Sequence, residues 1–256
     1  MSTRRLCVSA AARALKGGGV ASTSKRAAQK YRHFLVLDFE ATCERAPAIF
    51  EPQEIIEWPC LKVDALTLKV ESTFHRYVRP VHNPRLTDFC TELTGIVQEM
   101  VDEAPSFVET LAEFEQWLTD EGVDGTADED AALLITCGDW DLAKMLPAQC
   151  RLHDRNVPSR CRSWLNAKRA FHAGTGTWPR HLTFMMDQLK LQPVGRLHSG
   201  IDDCRNLAQI VRALVQPPHN VVLTPSWTSA VGDGGPDAGR RVTIQRNSLR
   251  RERNVD

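Results

Sequence analysis

Residues 33 to 37 (His-Phe-Leu-Val-Leu) run without a break into Asp38-Phe39-Glu40, and this junction constrains the fold more than any other feature of the chain. A short apolar strand of this kind belongs in the middle of a sheet that is covered on both faces. Side chains alternate along a strand, so the carboxylates of Asp38 and Glu40, two residues apart, project to the same side. Two like charges forced together at the end of a buried strand are costly unless a cation lies between them. Hard oxygen ligands suit Mg²⁺ or Mn²⁺ rather than zinc.

The 256 residues are enough for one large domain with appendages. Glu54 to Val63 reads as a second strand and Leu68 to Val78 as a third, with Leu68, Val70, Phe74 and Val78 alternating against polar residues and Asp64-Ala65-Leu66-Thr67 turning between the two. Ser106 followed three residues later by Glu109 forms a capping box ahead of Phe107, Leu111, Phe114 and Leu118, which predicts a helix. Thr119 to Asp130 is expected to be a surface loop and Ala131 to Thr136 a buried strand, followed by a helical segment past Asp141 that Pro147 interrupts. Helices are expected over 160 to 172, 181 to 191, and 202 to 215, the last stopped by Pro217-Pro218. A strand meander followed by alternating strands and helices predicts an α/β domain with a mixed central sheet covered by helices on both faces.

The charges divide the chain further. Formal net charge is zero, but residues 1 to 37 carry eight Lys or Arg and no acid, while residues 217 to 256 carry six Arg against four acids. The body between them keeps 18 basic and 28 acidic groups, a net of −10. Expected boundaries follow: a basic arm over 1 to 32, a domain over 33 to 216, and an Arg-rich tail over 217 to 256 with too little apolar surface to fold alone. In the arm, Met1 to Lys16 sets Leu6 and Leu15 among Arg4, Arg5 and Arg13, the physical character of a mitochondrial presequence. The alternative is a solvated arm that touches RNA phosphates in a cytoplasmic or nuclear protein. No apolar run approaches the ~18 residues needed to span a bilayer, so no membrane partner is expected. The eight cysteines form no C-x-x-C pair and no Cys/His cluster at zinc spacing; they read as buried thiols in a reducing compartment, and zinc is not expected.

Two further segments join the acid pair. Gly138-Asp139-Trp140-Asp141 places acids at the end of another buried strand, and His198 lies in a Gly-flanked loop five residues before Asp203 in the first turn of the last helix. Four carboxylates and one imidazole from three distant segments are the inventory of a two-metal phosphodiester hydrolase. Trp140 is a candidate for base stacking and Arg196, beside the histidine loop, for phosphate contact; Lys168, Arg169 and Arg180 are further basic candidates.

In these residues the chain resembles the DEDDh 3′-to-5′ exonucleases. Asp38 and Glu40 match the first motif, Asp141 the second, and His198 with Asp203 the third, over about residues 32 to 216. Phe34 to Cys43, Gln53-Glu-Ile-Ile-Glu57, Phe89 to Ile96, Cys137 to Asp141 and Gly195 to Cys204 look like the enhanced-RNA-interference (Eri) exoribonucleases, especially the prion-protein-interacting exonuclease branch. Leu197 stands where that pattern has Pro.

The resemblance implies an RNase H-like fold, two Mg²⁺ ions for which Mn²⁺ would substitute, and removal of 5′-mononucleotides from RNA 3′ ends, in a ribonucleoprotein or ribosomal RNA setting. It implies Asp38, Glu40, Asp141 and Asp203 as metal ligands and His198 as general base, a role that imidazole side chains suit near neutral pH. It also implies that Leu93-Thr94-Gly95-Ile96 packs the terminal nucleoside against the Glu40-Ala41-Thr42 backbone; an ordinary helix end capped by Gly95 is the alternative. A nuclease-fold binding subunit and a DNA-directed exonuclease are the competing functions.

Overall fold

The computed structural model describes residues 25–46, 51–229 and 239–241. Its frame is a mixed sheet. Strand β1 (His33–Leu37) is followed after two residues by the short β2 (Glu40–Ala41), then by β3 (Ile55–Asp64) and β4 (Val70–Tyr77). Helices α1 (Asp88–Thr94), α2 (Gln98–Asp102) and α3 (Phe107–Asp120) lead to β5 (Ala132–Thr136), α4 (Leu146–Leu152), β6 (Ser163–Asn166), α5 (Ala167–Thr175), α6 (Leu182–Gln188) and α7 (Gly200–Val215). Two short strands, β7 (Trp227–Ser229) and β8 (Gly239–Arg241), complete it. The strand order is β2-β3-β1-β5-β6-β7-β8, with β4 on the other edge of β3. Strand β1 runs antiparallel to β3 and parallel to β5, and β5 runs parallel to β6.

Alternation sorts the core into two faces. Phe34 and Val36 of β1 pack with Leu133, Ile135, Leu165 and the buried side of α7, including Cys204, Leu207, Val211 and Leu214. Leu35 and Leu37 face the other way, onto Trp58, Phe74, Phe114 of α3 and Met145. The capping box at Ser106 and Glu109 starts α3 as the sequence predicts. Pairing between β1 and β3 holds one register from Leu37 opposite Cys60 to Glu40 opposite Glu57, which sets Asp38 opposite Pro59. A proline has no N–H to give a ladder, so regular pairing stops there, and the chain at Asp38-Phe39 is released to serve the site.

Several expectations need correction. Residues 163–166 are a strand and not part of a helix over 160 to 172; four residues are too few to show a period, and Ala167 begins a helix immediately. Pro147 does not interrupt a helix. A π-helical turn over Asp141–Met145 passes into α4, and Pro147 occupies the first turn of that helix, where its missing N–H costs little. Val70 is exposed rather than buried, because the β3–β4 register shifts between Lys62 and Val63.

The boundaries at 32 and 216 also fall inside the folded body. Tyr31, Val221, Leu223 and Ser226 are buried. The Gln29 side chain donates to Val221 O at 3.0 Å and accepts the Leu223 N–H at 2.9 Å. Trp227 stacks on Trp164 with centroids 5.6 Å apart. The expected presequence and most of the Arg-rich tail lie outside the described residues.

Candidate active site

Asp38 and Glu40 leave β1 and β2 on the α7 side of the sheet, as the two-residue spacing requires. The Phe39 N–H between them donates to Asp141 Oδ1 at 3.0 Å. Asp141 is buried at the start of the π turn that follows β5, and β5 lies beside β1, so the two strand ends bring both acids together. Its neighbour Asp139 is used differently: its carboxylate accepts the Trp164 indole N–H at 3.1 Å and so braces β6.

Asp203 enters from the first turn of α7 and is buried. One carboxylate oxygen accepts the His198 N–H at 3.0 Å; the other, Oδ1, is buried with no hydrogen-bond partner. Carboxylate oxygens of Glu40 and Asp203 and a ring nitrogen of His198 lie within 4.8 Å of one another. His198 is exposed and holds φ +60°, a left-handed conformation uncommon for a residue with a Cβ. Such strain persists where the surroundings fix it, here by the bond from its own N–H to Asp203.

The acids repel one another. Burial first, and then the charges of Asp141, Glu40, Asp203 and Glu57, raise the Asp38 carboxyl well above its ordinary value. Burial and the neighbouring Glu57, Asp203 and Asp141 push Glu40 up to about 9. Burial lifts Asp141 to about 6 against the opposing Phe39 N–H, and burial raises Asp203 against the His198 N–H. A cluster of oxygen donors that resists ionising together, with one buried oxygen lacking any partner, fits a hard divalent cation.

Glu57 is the residue that the sequence reading leaves without a role. It is buried near the start of β3 and accepts the Gly200 N–H at 2.8 Å, the Ile201 N–H at 3.2 Å and a bond from the His75 ring at 2.8 Å. An anion at the first N–H groups of a helix is stabilised by groups that have no partner within the helix. Glu57 therefore seats the end of α7 that carries Asp203. Its sequence signal is an acid among the apolar residues that begin β3.

The expected nucleoside-packing residues are divided by burial. Ala41, Thr42, Thr94 and Ile96 are buried. Thr42 Oγ1 accepts the Glu54 N–H, Thr94 Oγ1 donates to Cys90 O, and Ile96 packs with Ile56, Cys90 and Val101. Leu93 remains half-buried, and Gly95 caps α1 at φ +79°. Thr94 and Ile96 thus support the segment from within, which narrows the expected apolar clamp to Leu93. Arg196 does not point a free guanidinium at solvent. It lies against Gly95 and donates to Glu92 O and Leu93 O, tying the histidine loop to the end of α1. Trp140 is 40% exposed beside Asp141.

The Exonuclease (RNase_T) family matches residues 35–211. ERI1 exoribonuclease 3 of Bos taurus is 48% identical over 200 residues, covering 77% of this chain and 58% of that protein. The 3′-5′ exoribonuclease 1 of Mus musculus is 38% identical over 190 residues, covering 73% and 54%. The chain thus spans somewhat more than half the length of the curated relatives it matches. Among solved structures, the nuclease domain of 3′hExo, a DEDDh family member bound to rAMP, superposes with a TM-score of 0.70 at 34% identity, over 76% of this chain and 96% of that one. A 3′-exonuclease described in the recognition of a histone mRNA stem-loop gives 0.76 at 31% identity, over 88% and 74%. With the four acids and the histidine gathered at one sheet edge of an RNase H-like fold, the chain belongs to the exonuclease family.

Proposed function

We propose that this protein is a 3′-to-5′ exoribonuclease that releases 5′-mononucleotides by hydrolysis. The observation that carries the reading is the convergence of Asp38, Glu40, Asp141 and Asp203, with Asp203 Oδ1 buried and unpartnered, beside the exposed ring of His198. The names of the relatives support RNA as the substrate class, and the rAMP held by the 3′hExo nuclease domain supports a mononucleotide product.

Asp38, Glu40, Asp141 and Asp203 would hold two divalent ions, Mg²⁺ with Mn²⁺ as a substitute. Bound there, such ions supply charge neutralisation for the leaving 3′ oxygen and acidify the attacking water. His198 takes the proton that this water loses as its oxygen bonds to phosphorus and the 3′ oxygen departs. Glu57 holds the first turn of α7 so that Asp203 stays fixed, and Leu93 lies against the terminal nucleoside. Trp140 stacks on a base. The basic arms suit RNA within a ribonucleoprotein, ribosomal RNA included, and the character of residues 1 to 16 suits mitochondrial import.

The test is digestion of 5′-labelled RNA and DNA of one sequence by the purified full chain. A ladder shortening one nucleotide at a time, abolished by EDTA and faster on RNA, is expected. No metal-dependent product, or equal turnover by Glu40→Gln, refutes the assignment.

A further inference from the structure

Within the acidic body, one stretch of chain contains no acid. From Arg155 to Met186 it carries Arg155, Arg160, Arg162, Lys168, Arg169 and Arg180, with His172 and His181 and neither Asp nor Glu. Such segregation is the electrostatic footprint expected of a surface that meets phosphates.

The fold delivers part of this stretch to the catalytic edge. Strand β6 runs parallel to β5, with Asn166 opposite Thr136, so it ends on the same side as the acids carried by β1 and β5. Helix α5 starts there, its first turn capped by the Asn166 side chain, which accepts the Lys168 N–H. The Lys168 ammonium donates to Arg180 O at 2.9 Å and draws the 176–180 turn back over the start of the helix. On that turn Trp178 is 54% exposed. The Arg169 guanidinium sits 6.0 Å from its ring centroid, and His172 meets it edge-on at 5.8 Å. Across the sheet the order is Asp38 after β1, Trp140 after β5, then β6, two strand spacings or about 10 Å from β1, from whose end α5 leads to the Trp178 turn.

We propose that Trp178, with Lys168, Arg169 and Arg180, is a second nucleotide platform, which takes the single-stranded RNA upstream of the scissile linkage. The cations meet its phosphates and the indole, steadied by Arg169, stacks on a base without regard to sequence. This rests on the exonuclease reading for the direction of the strand, 3′ end at the carboxylates and 5′ portion over β6.

Two measurements on the full chain with Mg²⁺ test it. The first is anisotropy of a 5′-labelled single-stranded 10-mer whose last linkages are phosphorothioates, and the second is turnover of a dinucleotide too short to reach Trp178. Trp178→Ala is expected to weaken 10-mer binding by about 5- to 150-fold, and Trp178→Phe to recover most of that. Arg169→Gln is expected to reduce the slope of log affinity against log salt by about 0.7. Dinucleotide turnover and melting temperature should stay at the wild-type level in all three. Wild-type 10-mer binding by Trp178→Ala overturns the platform whatever the enzyme does. Loss of binding in a protein that hydrolyses neither RNA leaves the platform standing and removes the exonuclease reading instead.

Discussion

Gly200→Ala tests whether the seat of α7 controls the site. A Cβ at this position would stand 2.8 Å from Asp38 O, 3.0 Å from Pro59 Cγ and 3.2 Å from Glu57 Oε2. The first of these is backbone of the segment that carries Asp38 and Glu40, and the second is a ring within β3, so neither yields. Ordinary contact requires the first turn of α7 to retreat by roughly half an ångström, which stretches the 2.8 Å bond from Gly200 N–H to Glu57 past good geometry. Overpacking of this kind costs about 1–3 kcal/mol, and the better helix propensity of Ala returns at most about 1 kcal/mol. A net loss of about 1–2 kcal/mol is expected in urea denaturation. Because a 1 Å misplacement costs about 100-fold in rate, a shift of half that size in Asp203 should lower turnover about tenfold and raise the Mg²⁺ needed for half-maximal rate. Gly138→Ala, where nothing lies within 4 Å of the added Cβ, is the control for stability. A Gly200→Ala protein as stable as wild type, with the same Mg²⁺ requirement, refutes the argument.

Asp38→Asn and Glu40→Gln should each abolish hydrolysis yet raise the melting temperature in EDTA, since each removes a carboxyl that burial and its acidic neighbours hold against ionising; retained turnover at saturating Mg²⁺ would show that neither is a ligand. The folded protein raises the pKa of Asp38, Glu40, Asp141 and Asp203, so their contribution to stability is complete below the unfolded carboxylate values near 4 and is lost as pH rises through the folded values. In EDTA the melting temperature of the wild type should therefore fall between about pH 5 and pH 9, more steeply than in Mg²⁺, and equal slopes in the two conditions would contradict the cluster's electrostatics. His198→Ala should slow hydrolysis by about 10²- to 10⁴-fold with RNA binding retained; a loss of only a few-fold would make His198 a loop-positioning residue.

Most of the site is legible because its groups sit at strand and helix ends, where local patterns are strong. Asp38 and Glu40 follow from a period of two, and Asp203 from its place in the first turn of a long amphipathic helix. Glu57 is not legible in the same way. Its partners are the Gly200 and Ile201 N–H groups, 143 and 144 residues away, and no local pattern encodes a partner at that range. Burial of the Thr94 and Ile96 side chains is likewise decided by what packs over them, not by the segment itself. Strand β6 escapes detection for a different reason: its few residues pass directly into helix, and its identity comes from pairing with β5 and β7. The folded parts of both arms are anchored by single side chains, Gln29 and Ser226 among them, in stretches whose composition reads as polar loop.

The bonds that hold the site together also say when it can exist. Phe39 and Asp141 are 102 residues apart in the chain, and Glu57 reaches Gly200 across 143. Closing loops of that length costs entropy before any contact repays it, and contacts of large sequence separation form late and together. A nascent chain that has emerged only as far as Asp141 already carries three of the four acids, but Asp203 and the turn that seats it are still missing. Tight divalent-ion binding would therefore switch on only once α7 has docked, and the affinity for Mn²⁺ would report completion of the fold during synthesis or refolding.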